Sequence, residues 1–432
     1  MIAEIRAPTV TRGPPLEASI QRHMPFWHTG AFPATGAYAN TMGPEMLVPL
    51  SYHREVVDYL RAAEPEVWAW ANSLGVQEKH AQEIRANLLR ETYRLSPEGH
   101  PQAYALCDAA RQRLGLDVPV TLYQAGDGAM NAMLYFLSGE AHVVLKGPVL
   151  ERLNTGETMA LFGHELAHYR LWTLEDGIFH TADRILDHVL ATHGSSPSHL
   201  ETARLYALYT EIFADRGAAI AALAVEPAIA TLVKVQTGLA RVDAPSYLEQ
   251  AREIEAAGAR ASAGTSHPEA YLRAQAVAKW WNGEVGTEAW MRARLQGPRS
   301  MDALDLPGQV ALRDLTRRFI ARFVANEPLH GNERVLAQVR AFFPDWGADE
   351  PRAELEEVSP ERVDDSVLVY LHHVMLDLAL ADDDIREQAL LEAGRTAAAT
   401  DSLDALLLAL RRDAGMPRRE VDKFARRVKS AA

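Results

Sequence analysis

The pattern of apolar and polar positions changes texture several times along the chain. The first ~45 residues hold no period, because Gly13-Pro14-Pro15 and the run from His28 to Gly36 interrupt any repeat. Trp27, Phe32 and Tyr38 give this segment apolar anchors and predict a strap packed on the protein. From Leu50 to Leu95 apolar residues recur at helical spacing among mixed acids and bases, and Pro101 to Leu114 reads as a further helix stopped by Gly115. Val118 to Tyr123, Ala132 to Leu137 and His142 to Leu145 are β-rich, with Gly126, Gly128 and Gly139 between them, and predict a small sheet of short strands. Beyond them almost everything is helical. Asn154-Thr155-Gly156-Glu157 sets a cap three residues ahead of an acid and opens a helix through about Trp172. Ser198 and Glu201 form a second such pair, opening a helix through about Leu223.

The pattern shifts again near Gly297-Pro298. The region beyond is helical and rich in Leu and Ala, acidic from about Asp345 to Asp401 and basic at its end (Arg411, Arg412, Arg418, Arg419, Lys423, Arg426, Arg427, Lys429). No fixed-period repeat is present. The chain is therefore expected to be mainly α with a small β-sheet, in three parts: an N-terminal strap and helical segment (1–100), a central domain (101–295) and an acidic, all-helical C-terminal domain (296–432).

Composition narrows the function classes. Of 432 residues, 48% are hydrophobic and 24% charged, which suits a chain that buries sizeable cores and excludes disorder over most of its length. The net charge of −14 argues against a nucleic-acid-coating protein or a polybasic membrane binder. A single cysteine, Cys107, excludes an intrachain disulfide and a Cys-rich zinc ribbon, and suits a reducing compartment. Met1 to Pro8 lacks the apolar core of a signal peptide, and the most apolar stretch, Val367 to Ala381, is broken by His372, His373 and Asp377 and falls short of the ~20 residues of a membrane span. A cytoplasmic protein with no membrane span is expected.

The chemistry concentrates in one helix. His164-Glu165-Leu166-Ala167-His168 places two imidazoles four residues apart, one turn along a single helical face, where both reach one metal ion. With 16 histidines in the chain, HExxH arises by chance in roughly one such sequence in twenty. The flanking Met159, Leu161, Phe162, Leu166 and Leu171 predict a buried helix, and a buried helix rarely carries two histidines and a glutamate without partners. Glu165, off the ligand face, is placed to act as general base on a zinc-activated water. A catalytic site needs a third ligand and keeps one position open. Leu171 and Leu174 stand where a third-histidine variant would have its Gly and His, so the ligand is sought on the next long helix. There Glu211-Ile212-Phe213-Ala214-Asp215 offers Glu211 as ligand, with Asp215 one turn on to orient a ligating imidazole.

HELAH followed by EIFAD resembles the gluzincin zinc metallopeptidases of the HtpX and CAAX-prenyl-protease family, whose pattern is HExxH followed by an ExxxD helix. Met130-Asn131-Ala132 and the strand His142-Val143-Val144-Leu145 resemble that family's "NA" segment and active-site edge strand. Ser266-His267-Pro268 followed by Arg273 resembles its HP turn and basic residue. The similarity spans roughly Pro101 to Leu295. Most members of this pattern carry membrane spans or export signals, and neither is legible here. The resemblance implies a gluzincin-type core holding one Zn2+ per chain through His164, His168 and Glu211, and an endopeptidase acting on protein or peptide substrates. It implies that Asn131, His142, Val143 and Val144 belong to an edge strand pairing with an extended substrate. His267 then either faces the cleft and polarises the scissile carbonyl or caps the helix beginning near Pro268. Arg273 is expected on Asp215 or a neighbouring acid.

The remaining candidates read as structural. His180, His188 and His193 fall between the ligand helices as lid or surface residues, His372 and His373 as one core and one surface residue, and Asp382-Asp383-Asp384 as a helix-opening acidic cluster. Val367 to Ala393 weakly resembles TerB-like helical modules. The C-terminal domain holds no catalytic constellation and is a candidate for a regulatory protein partner. A zinc-stabilised binding or scaffold protein, its cleft plugged by the segment from Trp27 to Tyr38, is the alternative to an active peptidase.

Overall fold

In a computed structural model the described residues are 47–73, 78–126, 128–258 and 260–431, so the strap expected around Trp27, Phe32 and Tyr38 lies outside them. Three helices, α1 (Ser51–Ala63), α2 (Pro65–Ser73) and α3 (Glu78–Glu91), lead to the two-residue strand β1 (Tyr93–Arg94). Next comes α4 (Pro101–Arg113), begun by a proline whose missing N–H is no loss in a first turn and followed by Gly115 at φ 65°. The strands β2 (Val120–Gln124), β3 (Asn131–Leu137) and β4 (Glu140–Lys146) follow, then the single turn α5 (Val149–Arg152) and the long α6 (Thr155–Thr173). The central region continues through α7 (Ile178–Ala191), α8 (Pro197–Ala222), α9 (Val225–Thr237), α10 (Ala244–Ala256), α11 (Ala270–Trp281) and α12 (Thr287–Leu295). The last region comprises α13 (Leu306–Phe323), α14 (Glu333–Phe342), α15 (Asp365–Ala379), α16 (Arg386–Ala399), α17 (Leu403–Arg412) and α18 (Arg418–Ala431). The chain is thus mainly helical with one small sheet, and no helix among the described residues is long and apolar enough to cross a membrane.

Local signals set these boundaries. The Asn154 side chain accepts from the Glu157 N–H at 3.0 Å while the Glu157 carboxylate accepts from the Asn154 N–H at 2.8 Å, closing the reciprocal cap that opens α6. For α8 the cap lies two residues ahead of the expected Ser198. Ser196 accepts from the His199 N–H, and Pro197 takes the first helical position, where a proline fits best.

The four strands lie in the order β1-β2-β4-β3, with β2 and β4 parallel and the other pairs antiparallel. This order overturns one expectation. His142, Val143 and Val144 belong to β4, which is hydrogen-bonded on both sides and has no free edge. Every residue from Ala141 to Leu145 is buried, as in a strand covered on both faces and flanked on both edges. The free edge near α6 belongs to β3, whose N-terminal residue is Asn131. Ala132, Ala141, Val143 and Leu145 pack into the main core, whereas Val144 joins Tyr123 and Leu88 on the opposite face. His142, two residues before Val144, shares that opposite face and meets the Tyr123 hydroxyl at 3.3 Å, pointing away from α6.

Two large apolar clusters organise the chain, one reaching from Leu47 to Leu306 and one from Leu312 to Val428. The first includes Tyr52, Val56 and Leu60 of α1, so the helical segment before residue 101 shares its core with the elements that follow. It also takes in residues beyond 296. The Tyr52 hydroxyl donates to Asp305 Oδ2 at 2.6 Å, and the Leu306 N–H donates to Thr202 Oγ1 at 2.9 Å. Helix α13 begins in the first core with Leu306 and carries Leu312, Leu315 and Phe319 into the second. In that second core His372 is buried against Ser402, while His373 lies at the surface beside Asp413.

Helices α6 and α8 make the most extensive helix pairing in the fold, and glycines allow it. A Cβ added at Gly163 would overlap the Ala221 methyl and stand 2.8 Å from the Gly217 carbonyl oxygen and 3.1 Å from the Ala218 Cα. One at Gly217 would overlap the Ala167 methyl and stand 3.0 Å from the Gly163 carbonyl oxygen. Glycine inside a helix costs about 1 kcal/mol relative to alanine. Here it lets the two backbones touch beside His164 and Asp215.

Candidate metal centre

The close crossing brings the polar faces of α6 and α8 together. His164 Nε2, His168 Nε2 and the Glu211 carboxylate converge, with one donor atom from each lying within 4.8 Å of the others. His164 Nε2 is 3.5 Å from Glu211 Oε2, and His168 Nε2 is 3.7 Å from Glu211 Oε1. These separations are too long for hydrogen bonds. Donors ~2.0–2.2 Å from a tetrahedral zinc stand roughly 3.3–3.6 Å apart, close to what is seen. Glu211 Oε2 is buried and accepts no well-aligned hydrogen bond, its nearest cation being the Arg273 guanidinium at 3.1 Å, so the carboxylate keeps acceptor capacity beside the two imidazoles. Two imidazoles and a carboxylate with a spare buried oxygen fit a zinc ion.

The surrounding groups prepare those donors. Asp215 can only accept, so the His164 Nδ1–H donates to its Oδ1 at 3.1 Å and Nε2 keeps its lone pair toward the cluster. Arg273, on α11, grips Asp215 with two bonds, Nε to Oδ2 at 2.8 Å and Nη2 to Oδ1 at 2.7 Å, and reaches Glu211 Oε2 with Nη1 at 3.1 Å. Burial works against both carboxylates, but Arg273 and the neighbouring histidines together outweigh it and hold Glu211 and Asp215 below their ordinary ranges. For His168 burial dominates and lowers its pKa to about 4, so the ring is a neutral donor. For His164 burial is outweighed by the Asp215 hydrogen bond and the Glu211 charge, and the pKa rises.

Glu165 is buried beside the cluster and off its ligand face. Burial, opposed by His164, pushes its carboxyl up to about 7, and the backbone N–H of Leu134 on β3 donates to it. Strand alternation then turns the amides of Ala132, Leu134 and Phe136 to the free edge. The Ala132 N–H is taken by Asn131 Oδ1 at 3.0 Å, which fixes the start of that edge.

His267 stands at the mouth with its side chain 58% exposed and Nε2 3.5 Å from Glu211 Oε1. It does not cap α11, whose N-cap is Glu269, with Pro268 preceding the helix. His142, Val143 and Val144 are absent from the site for the topological reason given above. Of the histidines expected as lid or surface residues, His180 is half-buried, 4.5 Å from the Phe136 ring and 5.8 Å from that of Trp172, while His188 lies against Trp70.

Several contributors were not read from the sequence. The Leu134 amide and the Ser266 hydroxyl, 2.9 Å from His267 Nδ1, act through geometry that no motif encodes. Trp172, one turn beyond His168, walls the cluster at 5.8 Å between ring centres, and its Nε1 is buried without a partner. Gly163 and Gly217 did carry a signal, since a glycine deep inside a long helix marks a close approach. Compared with family models, with curated proteins and with solved structures, the chain matches none of them.

Proposed function

We propose that the chain is a zinc-dependent endopeptidase of gluzincin type, similar in its site to the HtpX and CAAX-prenyl-protease family and acting on protein or peptide substrates. The observation that carries this reading is the convergence of His164, His168 and Glu211 at coordination-edge distances, with Glu165 buried beside them but outside the ligand set. His164 and His168 offer Nε2, Glu211 offers its carboxylate, and Asp215 holds the His164 ring in the tautomer this requires. A bound zinc ion supplies Lewis acidity, lowering the pKa of a water toward ~7 and polarising the scissile carbonyl.

The chain's own residues do the rest. A substrate backbone laid along the free edge of β3 is held extended by strand pairing, with the scissile bond beside Leu134 and Glu165. Glu165 takes a proton from the attacking water and delivers it to the departing amine nitrogen, so that C–N cleavage yields a neutral amine and a carboxylic acid, whose remaining proton then passes to the amine to leave a carboxylate and an ammonium group. If the Ser266 hydroxyl donates to His267 Nδ1, the Nε2–H faces the cleft and donates to the oxyanion as it forms. Arg273 spans both acids of α8 and fixes Glu211 against α11.

The test is zinc content and cleavage of an unfolded protein, measured on Glu165→Gln and Glu211→Gln side by side. Glu165→Gln should keep zinc and lose at least ~10²–10⁴-fold in rate, the usual share of general acid–base catalysis. Glu211→Gln leaves two histidines, so metal and activity should fall together. Zinc-loaded Glu165→Gln cleaving at the wild-type rate would rule out a hydrolytic mechanism built on His164, Glu165 and His168 and make the bound zinc structural, whereas a zinc-loaded wild-type chain that cleaves nothing would favour a zinc-stabilised binding or scaffold protein.

A further inference from the structure

Helix α18 divides its residues sharply between two sides. Phe424 and Val428 are buried in the second core, and Val421 on the same side is buried as well. At 100° per residue, Arg419, Lys423 and Arg426 fall within ~60° of one another on the opposite side, and Arg418 and Lys429 border them. All five are exposed. Arg427, the remaining cation of the helix, pairs with Glu387, and Arg426 turns its Nε to the backbone carbonyl of Asp422. No carboxylate among the described residues pairs with any of the five cations on this strip. A strip of unneutralised positive charge about 16 Å long (Arg418 to Lys429, at ~1.5 Å per residue) is thus displayed on a chain of net charge −14.

We infer that this face of α18 is a docking surface for an acidic segment of a partner protein. Folding alone does not require the cations there, since the apolar side of the helix already secures it to the core. Three features favour a protein segment over other polyanions. The strip is one helix wide and is bordered by Glu420 and Asp422, which would meet the phosphates of a duplex or the headgroups of a bilayer laid across it. The only aromatic residue of α18, Phe424, is buried, so no ring is offered for base stacking. Its apolar residues are buried in the core and cannot enter a membrane interface. An acidic stretch of about five extended residues, at ~3.3 Å each, spans the same length. The acidic region from Asp345 to Asp401 would by itself have suggested basic partners, and α18 reverses that sign locally.

This inference needs neither metal nor cleavage, so it stands or falls apart from the peptidase reading. The test is fluorescence anisotropy of labelled deca-glutamate titrated with the full chain at ~50 mM salt, where the Debye length exceeds ~10 Å. A single-stranded oligonucleotide and phosphatidylserine vesicles are run in parallel. The peptide should bind, release as salt rises toward 300 mM, and lose at least tenfold in affinity to the triple variant Arg419→Glu/Lys423→Glu/Arg426→Glu. The neutral triple with glutamine should fall between, and circular dichroism should be unchanged because only exposed positions are altered. Absence of peptide binding, or binding indifferent to the triple variant, overturns the inference. So does tighter binding of the oligonucleotide or the vesicles than of the peptide.

Discussion

The spacing of α6 and α8 can be tested with a single methyl group. In Gly163→Ala the new Cβ stands 3.1 Å from the Ala218 Cα and 2.8 Å from the Gly217 carbonyl oxygen. Carbon pairs rest at ~3.5–4.0 Å, so the helices must part by roughly 0.4–0.9 Å. Both obstructing atoms are backbone and cannot step aside by changing rotamer. A metal site tolerates only about 0.2 Å in its ligand distances. His164 and His168 ride on one helix and Glu211 on the other, so the strain falls on the bond between them. Losing an outer partner of a ligand costs ~10–100-fold in affinity, and displacing a ligand itself should cost more than 100-fold. The fold should survive, because overpacking costs ~1–3 kcal/mol and alanine returns about 1 kcal/mol of helix propensity. Gly217→Ala provides the internal control. Its worst overlap is with the Ala167 methyl, and the contacts left are the Gly163 oxygen at 3.0 Å and the flexible Leu47 side chain at 3.4 Å. The double variant Gly217→Ala/Ala167→Gly should therefore recover zinc affinity to within about tenfold, a bound set by that one remaining tight contact. Gly163→Ala/Ala221→Gly should not recover, since its backbone contacts persist. The assay is a chelator competition titration at fixed pH, paired with thermal denaturation. Wild-type zinc affinity in folded Gly163→Ala would refute the claim that this crossing sets the ligand spacing.

Asp215→Asn keeps a hydrogen-bond acceptor but removes the charge behind His164, and zinc affinity should fall ~10–100-fold in the same titration; an unchanged value would reduce Asp215 to a packing role. His53 supplies a pH test. It is buried, with Nδ1 accepting from the Leu50 N–H and Nε2 3.2 Å from Thr210 Oγ1, and burial, aided by Arg216 and Arg54, lowers its pKa from 6.5 to about 3. The folded state keeps this ring neutral while the unfolded chain protonates it below 6.5, so its contribution is complete above that pH and drains away toward pH 3. Urea unfolding of His53→Gln between pH 6 and 4 should show a stability slope shallower by up to about 1.4 kcal/mol per pH unit, and a slope equal to wild type would refute the assignment.

The parts of the site legible in the sequence are those fixed by helical periodicity. Two histidines one turn apart, and a glutamate one turn from an aspartate, define their faces before any packing is known. The sheet was less legible, since strand order depends on pairings that no single strand contains. Both the resemblance and the β-rich composition drew attention to His142, Val143 and Val144, although an unbroken apolar run already favoured an interior strand over an edge. β3 is less covered, with Asn131 and Met133 exposed and Leu134 to Phe136 only partly buried. Asp305 and Leu306 make contacts across the boundary drawn at 295 that no local pattern marks, because their partners Tyr52 and Thr202 lie more than a hundred residues away in sequence.

Helix α13 has a mechanical consequence. It is 18 residues long, so it forms a continuous rod of ~27 Å with one end in each core. A second tie, the pairing of Arg299 with Val363, fastens the two regions off its axis. Two attachments resist torsion where one flexible linker would not, so the last region cannot swing like a bead on a string. Tilting the rod by 5° about Leu306 would carry its far end through about 2.4 Å, given a rise of ~1.5 Å per residue. In reverse, a load borne by the last helices arrives with leverage at Asp305 and Leu306. Their partners Tyr52, stacked on Tyr209, and Thr202 bear on the helix that carries Glu211.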